Sequence, residues 1–574
     1  MQSPKKLSRW HGGGSQGTVN ISENGLWRTG QIVIGRAGQA TVNIENGGSL
    51  ISSHSYLGSG NGTGIVNVVG PGSSWVIPRE NNSDFWIGYQ KGSGTLRVAN
   101  GGKVTTTSDI YTSVNHGSSS VIEIDGNNSV FSAEAWCYLG IAAPTTIKIT
   151  NGGSFTCDRT TYLAWGNLSL SGAGSKWTVK TNLDIGRSQY ATRGVLDIGE
   201  GSMVEVNSDL RLAADNPSAW DGSGTLNING SVNPGVFKAN RVIFGAGVQS
   251  AINFNHTDTS GNYTFSPSIS NSGSGNGYVN VIGTGTTVLT GTNSYNGNTS
   301  IQAGTLRAGS AAALSSNSSY IISRSATLDL NSFNLATSAL LNAGTLIIGS
   351  SNTSATVTTR QDYKGYEGAI HMAAVLGGNN SPTHNLVVGA NSHGTTTLHI
   401  RNVGGTGAQT TGNGILVVQV GLASNGQFTL PAPGYIQAGA YRYTLHKVGR
   451  NWYLQSAPAN AKAAAADDSA ACVADPLAQG CALAPGQGAV TKALPAALKA
   501  GTANAAAAAE AEAAAPAADA SAQLEAALGA DDLKDDGAVG FAGAVPVPGL
   551  GMVGMVSLSS LIGVAGLRRS RKAV

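Results

Sequence analysis

Residues 94–104 read GTLRVANGGKV, and near-copies of this stretch recur along the first half of the chain. TVNIENGGSL at 41–50, IKITNGGSF at 147–155, LDIGEGSMV at 196–204 and LNINGSV at 226–232 repeat it. In each copy apolar and polar residues alternate, as in Leu96, Arg97 and Val98; an Asn/Gly turn follows, and an apolar residue such as Val104 resumes the pattern. Alternation with period two marks a half-buried strand, so the unit is strand, tight turn, strand. The turn requires positive φ, which glycine supplies without steric cost and asparagine tolerates better than most residues.

From residue 12 to 245 the turns at Gly48, Ser73, Gly102, Asn128, Gly153, Ser175 and Ser202 recur about every 25 residues, a spacing typical of solenoid repeats. A second motif lies between them: IVIGR at 32–36, FWIGYQ at 85–90, WCYLG at 136–140 and LDIGR at 183–187. Each coil therefore holds two or three short strands. One coil cannot bury its own apolar face, so the coils must stack, each strand pairing with its counterpart in the next. Trp75 in GSSW and Trp177 in GSKW take the place that Leu50, Val104 and Phe155 hold in other copies. They substitute for aliphatics, so they and Trp136 are expected to pack rather than to offer a ligand platform.

Composition agrees with an array. Glycine accounts for 80 of 574 residues and charged residues for 11%, which suits many short strands joined by turns. A net charge of +3 leaves no basic stripe for phosphates and argues against nucleic acid as a partner. Four cysteines are too few for a disulfide scaffold. Cys472 and Cys481 stand close enough for a local disulfide loop in an exported protein, whereas Cys137 and Cys157 lie in neighbouring repeats at different offsets from the turn and need not face each other. Neither pair has metal-site spacing.

Two motif matches dissolve in context. HGGGSQG at 11–17 places His11 and Ser15 in a lipase-like string, but no helix pattern follows Ser15 as a nucleophile elbow requires. GLGMVG at 549–554 matches a dinucleotide fingerprint with no strand before it. His384, His393 and His399 have no accompanying carboxylate cluster and are expected to be packed or solvated. Asp184 and Asp197 sit at polar, outward strand positions with no acidic neighbour in register. No catalytic, cofactor-binding or metal-ligating residue is nominated, and no cofactor is expected. A polysaccharide lyase or hydrolase on the same scaffold is the competing reading, and it needs two or three charged side chains stacked in adjacent coils.

Residues 290–333, TGTNSYNGNTSIQAGTLRAGSAAALSSNSSYIISRSATLDLNSF, resemble the passenger-associated strand repeat of bacterial autotransporters in the order NSYNGNTSI, AGTLRAG, ATLDLNSF. Residues 411–456 resemble the autochaperone module that ends pertactin-like passengers, matched in GILVVQV, GAYRYTLHK and NWYL. The strand edges at the end of a stack need a cover, and these aromatic-rich strands would supply one. The resemblance implies an exported, surface-displayed passenger with a structural or adhesive role that meets a glycan or another cell-surface ligand; a barrel-less remnant of an autotransporter gene is a third reading.

A membrane barrel is expected next in that family, but residues 457–544 are Ala-rich and of low complexity, a composition that builds no core and reads as a disordered, partly helical linker. An uncharged run of 18 residues then begins at Leu550 and ends at Leu567, about 27 Å as a helix and enough to cross a bilayer core. Arg568, Arg569, Arg571 and Lys572 follow, which places this end in the cytoplasm. The layout resembles the PEP-CTERM and IPTL-CTERM sorting signals of Gram-negative bacteria, although the lead-in PVPG differs from both signatures. It implies the envelope membrane and a sorting protease as partners. The N-terminus, with a repeat under way by Thr18, leads us to expect a signal peptide and further repeats upstream.

The expected architecture is all-β: a right-handed parallel β-helix with coils over 1–245, a continuation over 246–410, a cap over 411–456, a linker over 457–544 and a single C-terminal membrane helix within an anchor or sorting segment over 545–574.

Overall fold

The computed structural model describes residues 15–80, 83–187, 193–213, 222–246, 250–273, 275–350 and 353–459. Cys472, Cys481 and the segment from Leu550 to Lys572 lie outside these residues. Among the described residues all regular structure is strand, arranged in sheets of 22, 17 and 7 strands.

The 94–104 unit shows how a coil is made. Ser93–Ala99 enters the first sheet, and Lys103–Thr106 and Ile110–Thr112 enter the second. Each strand pairs in parallel with its counterparts one coil before and one coil after. Leu96 lies between Val66 and Ile122, Val104 between Trp75 and Phe131, and Ile110 between Phe85 and Cys137. The inward positions thereby become continuous apolar columns. Burying each such side chain stabilises the stack by about 1.5–3 kcal/mol.

The turns also align. Asn46 and Gly47, Asn100 and Gly101, and Asn151 and Gly152 adopt positive φ, as the strand–turn–strand reading requires. The next position alternates between glycine and serine from coil to coil: Gly48, Ser73, Gly102, Ser129, Gly153, Ser175, as the backbone bonds linking successive coils show. The register places Ser129 rather than Asn128 in this column. Glycine is required at Gly102 because a Cβ there would stand 2.1 Å from the carbonyl oxygen of Val68. The serines in turn hold the turn of the coil before. Ser73 Oγ accepts the Gly47 N–H at 3.2 Å, Ser129 Oγ accepts that of Gly101 at 3.0 Å, and Ser175 Oγ accepts that of Gly152 at 3.1 Å.

Leu50, Trp75, Val104, Phe131, Phe155, Trp177, Val204 and Phe237 form one inward column, so Trp75 and Trp177 are core residues as expected. Two expectations need correction. The copy at 226–232 does not resume at Val232, which is 76% exposed; its loop is longer, and Phe237 takes the column position. Trp136 is 38% exposed and lies outside the coil under the guanidinium of Arg159, 5.6 Å away. Cys137 and Cys157, whose spacing leaves the pairing open, face each other and form a disulfide with Cα atoms 6.5 Å apart. Their different offsets place them in two strand columns, but Cys157 ends Ser154–Cys157 and Cys137 begins Cys137–Leu139, both buried. The bond crosses the corner between the columns and ties one coil to the next.

Between about residues 279 and 345 the coils shorten. Thr299 pairs with Tyr320 and Tyr320 with Leu340, steps of 21 and 20 residues. At the C-terminal end of the described chain the pairing changes direction. Ile415–Val420 pairs antiparallel with Asn451–Pro458, which pairs antiparallel with Tyr441–Val448. Ile415, Val417, Val418 and Leu454 are buried beneath this hairpin. The Tyr443 hydroxyl pins it to the coils, 2.8 Å from the carbonyl oxygen of Gly377 and accepting the Ala408 N–H at 2.9 Å.

Candidate functional site

With the interior filled by apolar columns, function must lie on outward positions. On the second sheet, alternation in Phe85–Tyr89 turns Phe85 and Ile87 inward and Trp86 outward. Register then sets Tyr56, Trp86, Tyr111, Tyr138 and Tyr162 one above another on the outer face. Trp86 stacks on Tyr56 with centroids 6.2 Å apart and on Tyr111 at 4.4 Å. Tyr111 to Tyr138 is 4.9 Å and Tyr138 to Tyr162 is 5.1 Å, with interplanar angles of 6° and 9°. Five coils thus carry one ladder of flat rings, each face against its neighbour's. Such contacts contribute about 0.5–1.5 kcal/mol per pair beyond area burial.

Both ends are closed by polar groups. Beside Tyr56 stands His54, whose Nε2 is 2.8 Å from the Tyr56 hydroxyl, and Tyr89 lies 5.6 Å away. At the other end Arg187 covers Tyr162 at 5.4 Å. Arg187 also bonds Asp184, the next residue in the column, at 2.9 Å, and Arg211 reaches the same carboxylate at 3.4 Å. Asp184 is outward in register, as expected, yet buried, because two arginines lie over it.

Asp84 and Asp109 lie along one flank, each just before its strand of the ladder. Asp109 accepts the Trp136 N–H at 3.2 Å and stands 3.9 Å from Arg79. Burial, reinforced by the Asp109 charge, holds the Asp84 carboxyl above its ordinary range. Burial, followed by the charges of Asp84 and Asp109, pushes the Tyr111 hydroxyl up to about 12. Tyr56 and Tyr138 are raised mainly by burial as well. The phenols therefore stay protonated well above neutral pH and can donate as well as accept hydrogen bonds.

The first sheet carries a second outward column. Asn20, Asn43 and Asn67 link side chain to side chain at 2.8 Å per step, and Asp197, Asn227, Asn253 and Asn280 do so at 2.6–2.8 Å. Between these runs Arg97 pairs with Glu123 at 2.8 Å. Asp197 thus has Ser169 and Asn227 as register neighbours, neither of them acidic.

The other candidates do not converge. Ser15 precedes Gln16–Ile21, a strand, and its carbonyl accepts the Gln39 N–H at 2.8 Å. His384 is buried and its Nδ1 accepts the Ala373 N–H at 3.1 Å. His393 lies 3.6 Å from Asp362, while His399 stacks on His371 at 4.6 Å. No group of three metal-ligating side chains occurs among the described residues. The aromatic ladder was missed by the sequence reading, although its signal was present. Val33, Trp86, Tyr138 and Asp184 are the middle residues of the second motif, and they share this one column.

Residues 330–445 match the family described as Autochaperone Domain Type 1, and residues 280–308 match Passenger-associated-transport-repeat. These ranges take in parts of the shortened coils and run into the first strand of the antiparallel hairpin, Tyr441–Val448. These two stretches are signatures of an autotransporter passenger domain. Over 117 residues the chain is 43% identical to Adhesin BmaC autotransporter of Brucella suis, covering 18% of this chain and 3% of that protein. It is 37% identical over 105 residues to Autotransporter adhesin AIDA-I of Escherichia coli, covering 17% and 8%. It is also 43% identical over 104 residues to the Escherichia coli protein YdeU, covering 17% of this chain and 22% of that one. The chain thus spans less than a quarter of the length of these relatives. No helix among the described residues is long and apolar enough to cross a membrane.

Proposed function

We propose that this passenger is exported and displayed at the cell surface, where its role is adhesive or structural rather than enzymatic. The observation that carries this reading is the register of the outward side chains. An aromatic ladder spans five coils and amide runs span three or four, and an extended face of repeated chemistry suits contact with another surface better than turnover of one bond. Two of the similar proteins are named adhesins, which supports the same direction. The coils wind right-handed, the hand nearly always taken when parallel strands are joined by a crossover. The Ala-rich linker over 457–544 tethers them to the envelope membrane through the helix from Leu550 to Leu567, with Arg568, Arg569, Arg571 and Lys572 on the cytoplasmic side and a sorting protease acting near it. Cys472 and Cys481 close a small loop in the linker. The partner at the outer face is a glycan or another cell-surface ligand.

Adherence to abiotic and cellular surfaces tests the role. Cells producing the chain should adhere several-fold more than a deletion strain, and antibody fragments against the coils should abolish the gain. Equal adherence by the two strains, with the chain confirmed at the surface, would overturn the adhesive role.

A further inference from the structure

The geometry points to the outer face of the second sheet, along Tyr56, Trp86, Tyr111, Tyr138 and Tyr162, as a binding site for a neutral linear polysaccharide lying parallel to the solenoid axis. This rests on the adhesive reading for its biological setting, while the binding itself stands on the ladder. Its rungs rise by about 4.8 Å per coil, the spacing of paired strands. A pyranose unit in an extended chain advances by a similar length, so one sugar can meet each rung over several coils without losing register. What the rungs offer is specific. The ring faces are consumed by one another, at 4.4 Å between Trp86 and Tyr111 and 4.9 Å between Tyr111 and Tyr138. Edges and hydroxyls are left to face outward, and among the described residues no protein group bonds the hydroxyls of Tyr111, Tyr138 and Tyr162. A row of neutral phenols, each able to donate and accept, matches a row of sugar hydroxyls.

Charge narrows the ligand further. Asp84 and Asp109 flank the upper rungs, with Arg79 3.9 Å from Asp109 and His54 near Asp84 as the groups that stand against them among the described residues. At the lower end Arg187 and Arg211 are already engaged by Asp184. A uronate or sulfated polymer would meet carboxylates where it needs cations, whereas a neutral sugar can donate its hydroxyl protons to Asp84. A peptide partner would seek unpaired backbone edges or an apolar hollow, and this face offers neither: its strands are paired on both sides and its rings are sealed face to face.

Affinity electrophoresis of the full chain tests the site, with separate gels containing mixed-linkage β-glucan, xyloglucan, galactomannan, polygalacturonate or heparin. The variant is the triple substitution Tyr111→Phe, Tyr138→Phe, Tyr162→Phe, which keeps every ring and removes only the hydroxyls. We expect retardation by at least one neutral polymer, not by polygalacturonate or heparin, with at least tenfold weaker retardation of the variant. Thermal denaturation at an unchanged midpoint would show that the coils are intact. No retardation by any neutral polymer, retardation by the anionic polymers alone, or equal retardation of the variant would each overturn the proposal. Adherence measured as above remains separate: adherence with no retardation sinks this site alone, and retardation without adherence sinks the adhesive role alone.

Discussion

Trp75 and Trp177 occupy equivalent rungs of one column, are both fully buried, and differ in a single hydrogen bond. Trp75 Nε1 donates to Ser52 Oγ at 2.8 Å, while Trp177 Nε1 has no partner. Replacing each by phenylalanine removes the same volume, so the difference isolates the indole N–H. Trp75→Phe loses a satisfied bond and Trp177→Phe relieves an unsatisfied donor, so the first variant should be less stable than the second by about 2 kcal/mol in urea denaturation. Equal losses would show that the N–H groups are not in the states described. His256 gives a pH prediction. It is buried with Nε2 2.9 Å from Thr287 Oγ1, and burial lowers its pKa. A lowered folded-state pKa means the unfolded chain takes up the proton first. Its contribution is complete above the unfolded value of about 6.5 and is lost as pH falls through the folded value. The denaturation midpoint should therefore drop between pH 7 and 5, and His256→Gln should flatten that slope. The core role of both tryptophans was legible because they replace aliphatics at a fixed offset. The aromatic ladder was not, because Val33 and Asp184 stand at its two ends and hide the shared column until register is known.

At the scale of single elements, the disulfide and the cap make separate predictions. Cys137 and Cys157 close a loop with a sequence separation of 20, so replacing both by alanine should cost about 3 kcal/mol by the loop-entropy relation. The sequence offered no sign of this bond, since it depends on a corner at which the end of one strand meets the start of another. The cap was more readable: an apolar strand and two aromatic-rich strands at the end of a stack have an edge to cover. Its anchor was hidden, because Tyr443 reaches carbonyl groups at Gly377 and Ala408, far off in sequence. Tyr443→Phe leaves the half-buried Ala408 N–H without its hydroxyl acceptor, and should lower stability by about 0.5–1.5 kcal/mol and expose the hairpin to proteolysis before the coils. Simultaneous cleavage of hairpin and coils would contradict the pinning.

For the whole molecule, the parallel stack follows from period-two alternation, positive-φ turns and a spacing near 25 residues, which is why the fold is legible in the sequence. The outward chemistry could not, because it belongs to columns that cross coils of unequal length, and an insertion such as the one before Phe237 shifts the count without shifting the register. Display outside the cell is the central claim of this account. The measurement that tests it most directly is labelling of intact cells with a membrane-impermeant amine reagent, read residue by residue by mass spectrometry. Lys103 and Lys148 lie at exposed positions on the coils. Both should be modified on intact cells while a periplasmic control protein is not; labelling of these lysines only after lysis would contradict display at the surface.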